Sequence, residues 1–246
     1  LAGTAFAPVE DARLASDRLR ESTMASAVIV AAGRGTRMGS DKLFLQVGGL
    51  PVVGHAWKRF DGHPDIEEVV LVVRPDNRSA FENLAGRLDL KRPYTLADGG
   101  PERQDSVLNG LQAVRADAGI VAIHDGARPC TDELTISDTI AAARKQGAAV
   151  AASAVVDTLK QADGDLSISR NIDRAHLWAV QTPQVFRREI IQDAMNAVRE
   201  QNAAVTDDTA ACELIGQAVA LVPSRALNPK VTTPADLPLV EFLLSQ

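Results

Sequence analysis

Aromatic side chains are scarce in this chain, only 4% of 246 residues. Any core must therefore be built from Ala, Val, Leu and Ile, and a hydrophobic content of 46% is enough for a sizeable one. Cysteine is scarcer still. Cys130 and Cys212 stand far apart with no Cys-x-x-Cys spacing, which argues against a zinc site or a disulfide framework and fits a reduced, cytoplasmic setting. Neither thiol is assigned any chemistry. His55, His63 and His176 share no metal-ligand spacing, so zinc is not expected. Positive charge is not in excess: the net charge is −6, which argues against a general nucleic-acid binder and confines any phosphate site to a local basic pocket. No apolar run approaches the roughly 20 residues of a membrane span. Residues 1–23 carry Glu10, Asp11, Arg13, Asp17, Arg18, Arg20 and Glu21, the wrong composition for a signal peptide, and form a leader of unassigned role ahead of Met24.

Beyond the leader, residues 24–246 read as alternating strands and helices. Buried strands are expected at Ala27–Ala31, Glu68–Val73, Gly119–His124 and Ala148–Val155, with a short extended piece at Tyr94–Ala97. Helices are expected at Pro51–Phe60 with Pro51 in the first turn, at Arg78–Leu88, at 103–116 and at Thr131–Lys145. Such alternation implies an α/β domain: a mostly parallel twisted sheet with helices on both faces, and ligands outside the carboxyl ends of the strands. The stretch 156–176 breaks the pattern. Two alternating segments flank Ala162-Asp163-Gly164-Asp165, which reads as a hairpin. An isolated hairpin is marginal in water, so a protruding β-arm packed on a second subunit is expected.

The most informative motif is Ala31-Ala32-Gly33-Arg34-Gly35-Thr36-Arg37-Met38, with Lys42 close behind. It follows the apolar run Ala27–Val30. Gly33 and Gly35 let the backbone turn and bring N–H groups toward an anion, while Arg37 and Lys42 add positive charge, a combination suited to a nucleoside triphosphate. A dinucleotide fingerprint would need glycine where Met38 stands, and a P-loop would need Gly-Lys-Ser/Thr. An ordinary turn with two solvated cations is the competing reading. His124-Asp125-Gly126-Ala127-Arg128-Pro129 ends another buried strand. There Asp125 is suited to Mg²⁺ and Arg128 to a phosphate, or the two simply close a turn as an ion pair. Asp98–Ser106 opens a helix, with Ser106 either reading a base edge or serving a helix cap. Lys230, in an extended segment before Pro234, reads by default as solvated, and His124 as a half-buried strand-end residue rather than a base.

Taken together these residues resemble the 2-C-methyl-D-erythritol 4-phosphate cytidylyltransferase family, from about Ala27 to about Leu244. Further matching pieces are Asp157-Thr158-x-Lys160, Asp173-Arg174, Gln181-Thr182-Pro183-Gln184, Thr206-Asp207-Asp208 and Lys230-Val231-Thr232. The resemblance implies a single Rossmann-like nucleotidyltransferase domain that transfers CMP from CTP to the polyol phosphate in non-mevalonate isoprenoid synthesis, with pyrophosphate released. It implies that Arg37, Lys42 and Lys230 act on the phosphates. Ala32, Gly33, Gly35, Gly100, Ser106 and Asp125 would bind the nucleotide, with Asp125 placing Mg²⁺. Arg128, Thr182 and Thr206 would line the acceptor site, completed by Thr158 and Arg174 of the partner's arm in a homodimer. The chain departs from the family's habit at Asp41 and Leu43 around Lys42, at Pro101 and at Pro229. A cytidylyltransferase for ribitol 5-phosphate, and a non-catalytic nucleotide-binding module of a longer protein, are the alternatives.

Overall fold

The computed structural model describes residues 24–33 and 42–246. The leader, Gly35 and Arg37 lie outside the described residues. From Ala25 onward strand and helix alternate: β1 (Ala25–Val30), a 3₁₀ turn (Lys42–Phe44), the short pair β2 (Gln46–Val47) and β3 (Leu50–Pro51), α1 (Val52–Asp61), β4 (Ile66–Val73), α2 (Arg78–Ala85), β5 (Tyr94–Asp98), α3 (Arg103–Ala113), β6 (Ile120–Asp125) and α4 (Glu133–Gln146). Then follow β7 (Ala148–Ala154), β8 (Leu159–Ala162), β9 (Ile168–Ile172), β10 (Trp178–Arg187), α5 (Arg188–Glu200), α6 (Asp208–Leu214), β11 (Ala220–Pro223) and α7 (Leu237–Leu244).

The main sheet has seven strands in the order β11-β7-β10-β6-β1-β4-β5. β1 lies parallel between β6 and β4, and β5 is parallel to β4. β10 runs antiparallel to both β6 and β7, while β11 is parallel to β7. Among the described strands of this sheet β10 is therefore the reversed one. The mostly parallel sheet expected from the alternation is present.

Helices cover both faces because the inner strands β1, β4 and β6 are apolar on both. Along β1, Ala25, Ala27 and Ile29 belong to one core and Val28 to the other. The first core takes Val53, Trp57 and Phe60, which recur at helical spacing on α1, together with Phe81 of α2 and Ile136 and Ile140 of α4. The second takes Val107 and Leu111 of α3, Ile191, Met195 and Val198 of α5, and Cys212 of α6. Full burial of one such large side chain contributes about 1.5–3 kcal/mol. Helix ends are capped locally: the Asp132 side chain accepts from Thr135 N–H at 2.9 Å, and Gly147 ends α4 at φ 92°.

Several expected boundaries move. Pro51 is not in the first turn of α1. It is the residue before it, extended at φ −67° and ψ 152°, because it pairs with Gln46 in the β2–β3 ladder. α2 stops at Ala85 with Gly86 as its cap, short of Leu88. Strand β10 was not expected, since Gln181-Thr182-Pro183-Gln184 interrupts its apolar pattern. It forms because Val185 and Phe186 bury into opposite cores between two partner strands.

The hairpin is present. β8 and β9 pair antiparallel as a separate two-stranded sheet, from Leu159 opposite Ile172 to Ala162 opposite Ile168. Its apolar residues are open: Val156 is 77% exposed, Leu166 87% and Ile168 69%, too much apolar surface for a hairpin stable by itself.

The register aligns the strand ends that matter. Val30 sits level with Val72 on one side and Asp125 on the other, and Val73 sits level with Asp98. Main-chain bonds continue past those ends: Ala31 N–H to Val72 O at 2.8 Å, Gly99 N–H to Val73 O at 2.8 Å, and Gly126 N–H to Val30 O at 3.0 Å. The starts of three loops are thereby fixed at one end of the sheet.

Candidate active site

Those loops surround a cleft of about 1260 Å³, lined among others by Ala32, Gly33, Lys42, Gly100, Ser106, Asp125 and Lys230. It sits at the carboxyl ends of β1, β4, β5 and β6, where open α/β sheets bind ligands.

Asp125 is the electrostatic hub. Lys230 Nζ lies 2.8 Å from its Oδ2, Arg128 Nε 3.6 Å from Oδ2, and Arg103 Nε 3.8 Å from Oδ1. Burial pushes the carboxyl pKa up, but Lys230, then Arg103 and Arg128, outweigh it and hold the group at about 2. Arg103 in turn makes a two-pronged pair with buried Asp208, both N–H···O distances being 2.8 Å. Burial works against charge on both partners, and each favours the other's charged form; the Arg103 pKa ends above its ordinary value, and so does that of Asp208.

The segment that carries Lys230 is pinned on both sides. Asn228, 3% exposed, donates from Nδ2 to Thr182 O at 2.8 Å, and its own carbonyl accepts from Arg128 Nη1 at 2.8 Å. Beyond Lys230, Val231 N–H donates to Ala127 O at 2.8 Å and Val231 O accepts from Lys42 Nζ at 3.0 Å. Lys42 and Lys230 are thus brought to the same cleft from sequence positions far apart. The solvated reading of Lys230 gives way to an ion pair.

On the opposite wall the Asp98-Gly99-Gly100 turn folds tightly against its neighbours. A Cβ on Gly99 would meet Ala32 Cβ at 2.2 Å, and one on Gly100 would meet Asp105 Cβ at 2.2 Å, so only glycine allows this approach. Glu102 and Asp105 form a capping box at the start of α3, and Ser106 Oγ accepts from Gly100 N–H at 3.0 Å while donating to Glu102 O at 3.1 Å. The capping reading of this loop is realised, and it also holds Gly100 in the cleft wall.

His124 is not half-buried but fully enclosed, packed against the Phe60 ring with centroids 4.7 Å apart. Burial lowers its pKa to about 4, against the opposing hydrogen bond to the Arg128 carbonyl. It is neutral at pH 7 and has no access to solvent, which suits it poorly to act as a base.

The remaining expected residues lie elsewhere. Arg128 lines a neighbouring cavity of about 260 Å³ with Gln181 and Asn228. Thr182 is buried beside it, 3% exposed. Thr158, Arg174 and Thr206 are exposed, and none is among the residues lining either cavity. Arg174 donates to Val156 O within the arm. Residue types alone gave no role to Arg103, Asp208, Asn228 or Gln184, although all but Asn228 fall in the quoted motifs. Gln184 bridges strand and helix, donating to Asp207 Oδ2 at 3.0 Å and accepting from Asp208 N–H at 3.0 Å. Its signal was membership of the polar stretch Gln181-Thr182-Pro183-Gln184.

Among the described residues no group of three or more His, Cys, Asp or Glu is arranged to hold a metal ion. An ionised Asp125 at a triphosphate-sized cleft nevertheless fits a hard divalent cation that takes its other oxygens from phosphates and water.

Residues 25–246 match the family described as IspD, 2-C-methyl-D-erythritol 4-phosphate cytidylyltransferase. A protein of that name from Pelotomaculum thermopropionicum is 43% identical over 222 residues, 89% of this chain and 93% of its own. The chloroplastic protein of that name from Oryza sativa subsp. japonica is 37% identical over 223 residues, 90% of this chain and 74% of its own. Among solved structures, the 4-diphosphocytidyl-2C-methyl-D-erythritol synthase of Anaerococcus prevotii superposes with a TM-score of 0.81 at 28% identity, covering 92% of this chain and all of that one (100%). The Thermus thermophilus cytidylyltransferase superposes at 0.76 with 31% identity, covering 91% of this chain and 100% of its own.

Proposed function

This chain belongs to the 2-C-methyl-D-erythritol 4-phosphate cytidylyltransferase family, and on that premise we propose that it transfers CMP from CTP to 2-C-methyl-D-erythritol 4-phosphate, releasing pyrophosphate. The observation that carries this reading is the convergence of Lys42, Lys230 and Asp125 on one cleft at the carboxyl ends of β1 and β6. A phosphate oxygen of the acceptor attacks the α-phosphorus of CTP. The bond from that phosphorus to the bridging oxygen of the β-phosphate breaks, and pyrophosphate leaves with the electron pair.

The nucleophile is already an anion, so no strong base is required, in keeping with a buried, neutral His124. What the reaction needs is relief of repulsion between two polyanions and stabilisation of charge gathering at phosphorus. Lys42 and Lys230 supply it from fixed positions, and Arg37 is proposed to join them. Gly33, Gly35 and Ala32 are proposed to give the backbone cradle, with Gly100 and Ser106 forming the base-side wall. Asp125 would hold Mg²⁺, which when bound offsets phosphate charge and orients the triphosphate.

Arg128, Thr182 and Thr206 are proposed on the acceptor side, completed in a cytoplasmic homodimer by Thr158 and Arg174 of the partner's arm. Open apolar surface on that arm supports the dimer. Phosphorus NMR tests the reaction: pyrophosphate and a cytidine diphosphate diester should appear together only when CTP, acceptor and a divalent cation are all present. Pyrophosphate without the diester would contradict it. Sedimentation at micromolar concentration should show a dimer; a monomer alone would rule out the shared site.

A further inference from the structure

The hydrogen bonds around His124 assign their own donors. Nε2 lies 2.9 Å from Arg128 O, and a carbonyl only accepts, so Nε2 carries the hydrogen. In a neutral ring Nδ1 is then bare. Its neighbour at 3.0 Å is Thr182 Oγ1, which must donate to it. The same Oγ1 accepts from Asp125 N–H at 3.1 Å. The hydroxyl proton of Thr182 is therefore committed, and with it the direction of the whole chain of bonds. His124 is 0% exposed and Thr182 3%, so water does not compete.

We propose that His124 and Thr182 are positioning residues for nucleotidyl transfer: His124, as the Nε2–H tautomer, accepts a hydrogen bond from the Thr182 hydroxyl at Nδ1 and so turns Thr182 Oγ1 into the acceptor that fixes the Asp125 main chain. This rests on the transferase reading given above. The same cluster reaches the second charged group of the site. Arg128 N–H donates to Asp125 O at 2.9 Å, so the 125–128 turn is closed from inside and from His124. Thr182 O accepts from Asn228, which anchors the segment bearing Lys230. One buried node thus sets the spacing of Asp125 and Lys230, whose side chains meet at 2.8 Å. It follows that Thr182, though it stands on the acceptor side, does not hold the acceptor phosphate through its hydroxyl proton. Its removal is felt in turnover and not in acceptor affinity.

Two readouts test this. In steady-state pyrophosphate release, Thr182→Val should lower kcat about tenfold, the worth of one buried hydrogen bond, while the acceptor KM stays within about threefold. Thr182→Ser, which keeps the hydroxyl, should recover most of the loss. A Thr182→Val enzyme with unchanged kcat, or with its loss confined to acceptor KM, would overturn the proposal. Independently of activity, nitrogen-15 NMR of the imidazoles, with His124→Asn identifying the signal, should show His124 Nδ1 bare and Nε2 protonated. A protonated Nδ1 would also overturn it. If the wild-type enzyme shows this tautomer yet releases no pyrophosphate from CTP with any acceptor, the transferase reading falls and the role in transfer falls with it.

Discussion

Lys230 Nζ sits 2.8 Å from Asp125 Oδ2, joining the segment before α7 to the last residue of β6. Lys42, reaching Val231 O at 3.0 Å, ties the loop after β1 to the same segment. Three distant parts of the chain meet at one point, where negative charge would build up during transfer.

Lys42→Ala and Lys230→Ala should each lower turnover about a hundredfold, the usual cost of losing one preorganised charge contact. Both variants should keep a cooperative thermal transition, because neither side chain belongs to the cores. Near wild-type turnover in either would remove that lysine from the mechanism.

Acid should weaken the fold in two steps. His124 has a folded pKa of about 4 against 6.5 when free, so its contribution is full above about 6.5 and is lost as pH falls toward 4. Asp125 has a folded pKa of about 2 against 3.8, so its contribution is full above about 4 and is lost as pH falls through 2. His124 is worth on the order of 3 kcal/mol and Asp125 on the order of 2 kcal/mol. Urea titrations between pH 8 and 4 should show stability falling below 6.5, with a smaller slope in His124→Asn. An equal slope in that variant would show that His124 is not the group titrating.

Arg103→Ala should destabilise by about 3–5 kcal/mol, because it strands a carboxylate: Asp208 is 1% exposed. Adding Asp208→Asn should recover part of that loss, since the stranded charge goes with it. Urea unfolding of both variants checks this, and strictly additive losses would contradict the pairing.

The order of β1, α1, β4, α2, β5, α3, β6, α4 and β7 was legible because each strand is a compact apolar run and each helix a clear stripe. Strand β10 was hidden because the residues that do its work, Thr182 and Gln184, are polar and lie inside it, bonded to His124 and to Asp207 and Asp208. The cluster around Asp125 was only half visible. Position at a strand end marked Asp125 and Arg128, and the family resemblance marked Lys230, but Arg103 meets Asp208 across 105 residues and His124 meets Thr182 across 58, and no local pattern encodes such pairs. Taken from its neighbours alone, Lys230 reads by default as solvated for the same reason. Nothing beside it in sequence shows the carboxylate it meets.

The thiols should be inert in the folded protein. Burial pushes Cys130 up to about 11 and Cys212 up to about 12, so little thiolate exists at pH 8. An aromatic disulfide reagent should titrate both of the chain's cysteines in denaturant and neither within minutes in buffer. Rapid native labelling would contradict the burial.

The most direct test of the central claim is pyrophosphate release from CTP and Mg²⁺ with three acceptor conditions: 2-C-methyl-D-erythritol 4-phosphate, ribitol 5-phosphate, and none. Release should be strongly preferred with methylerythritol phosphate and negligible without acceptor. Preference for ribitol phosphate would keep the chemistry and move the substrate. No release in any condition, from folded protein that still binds CTP, would contradict the account and leave a nucleotide-binding module.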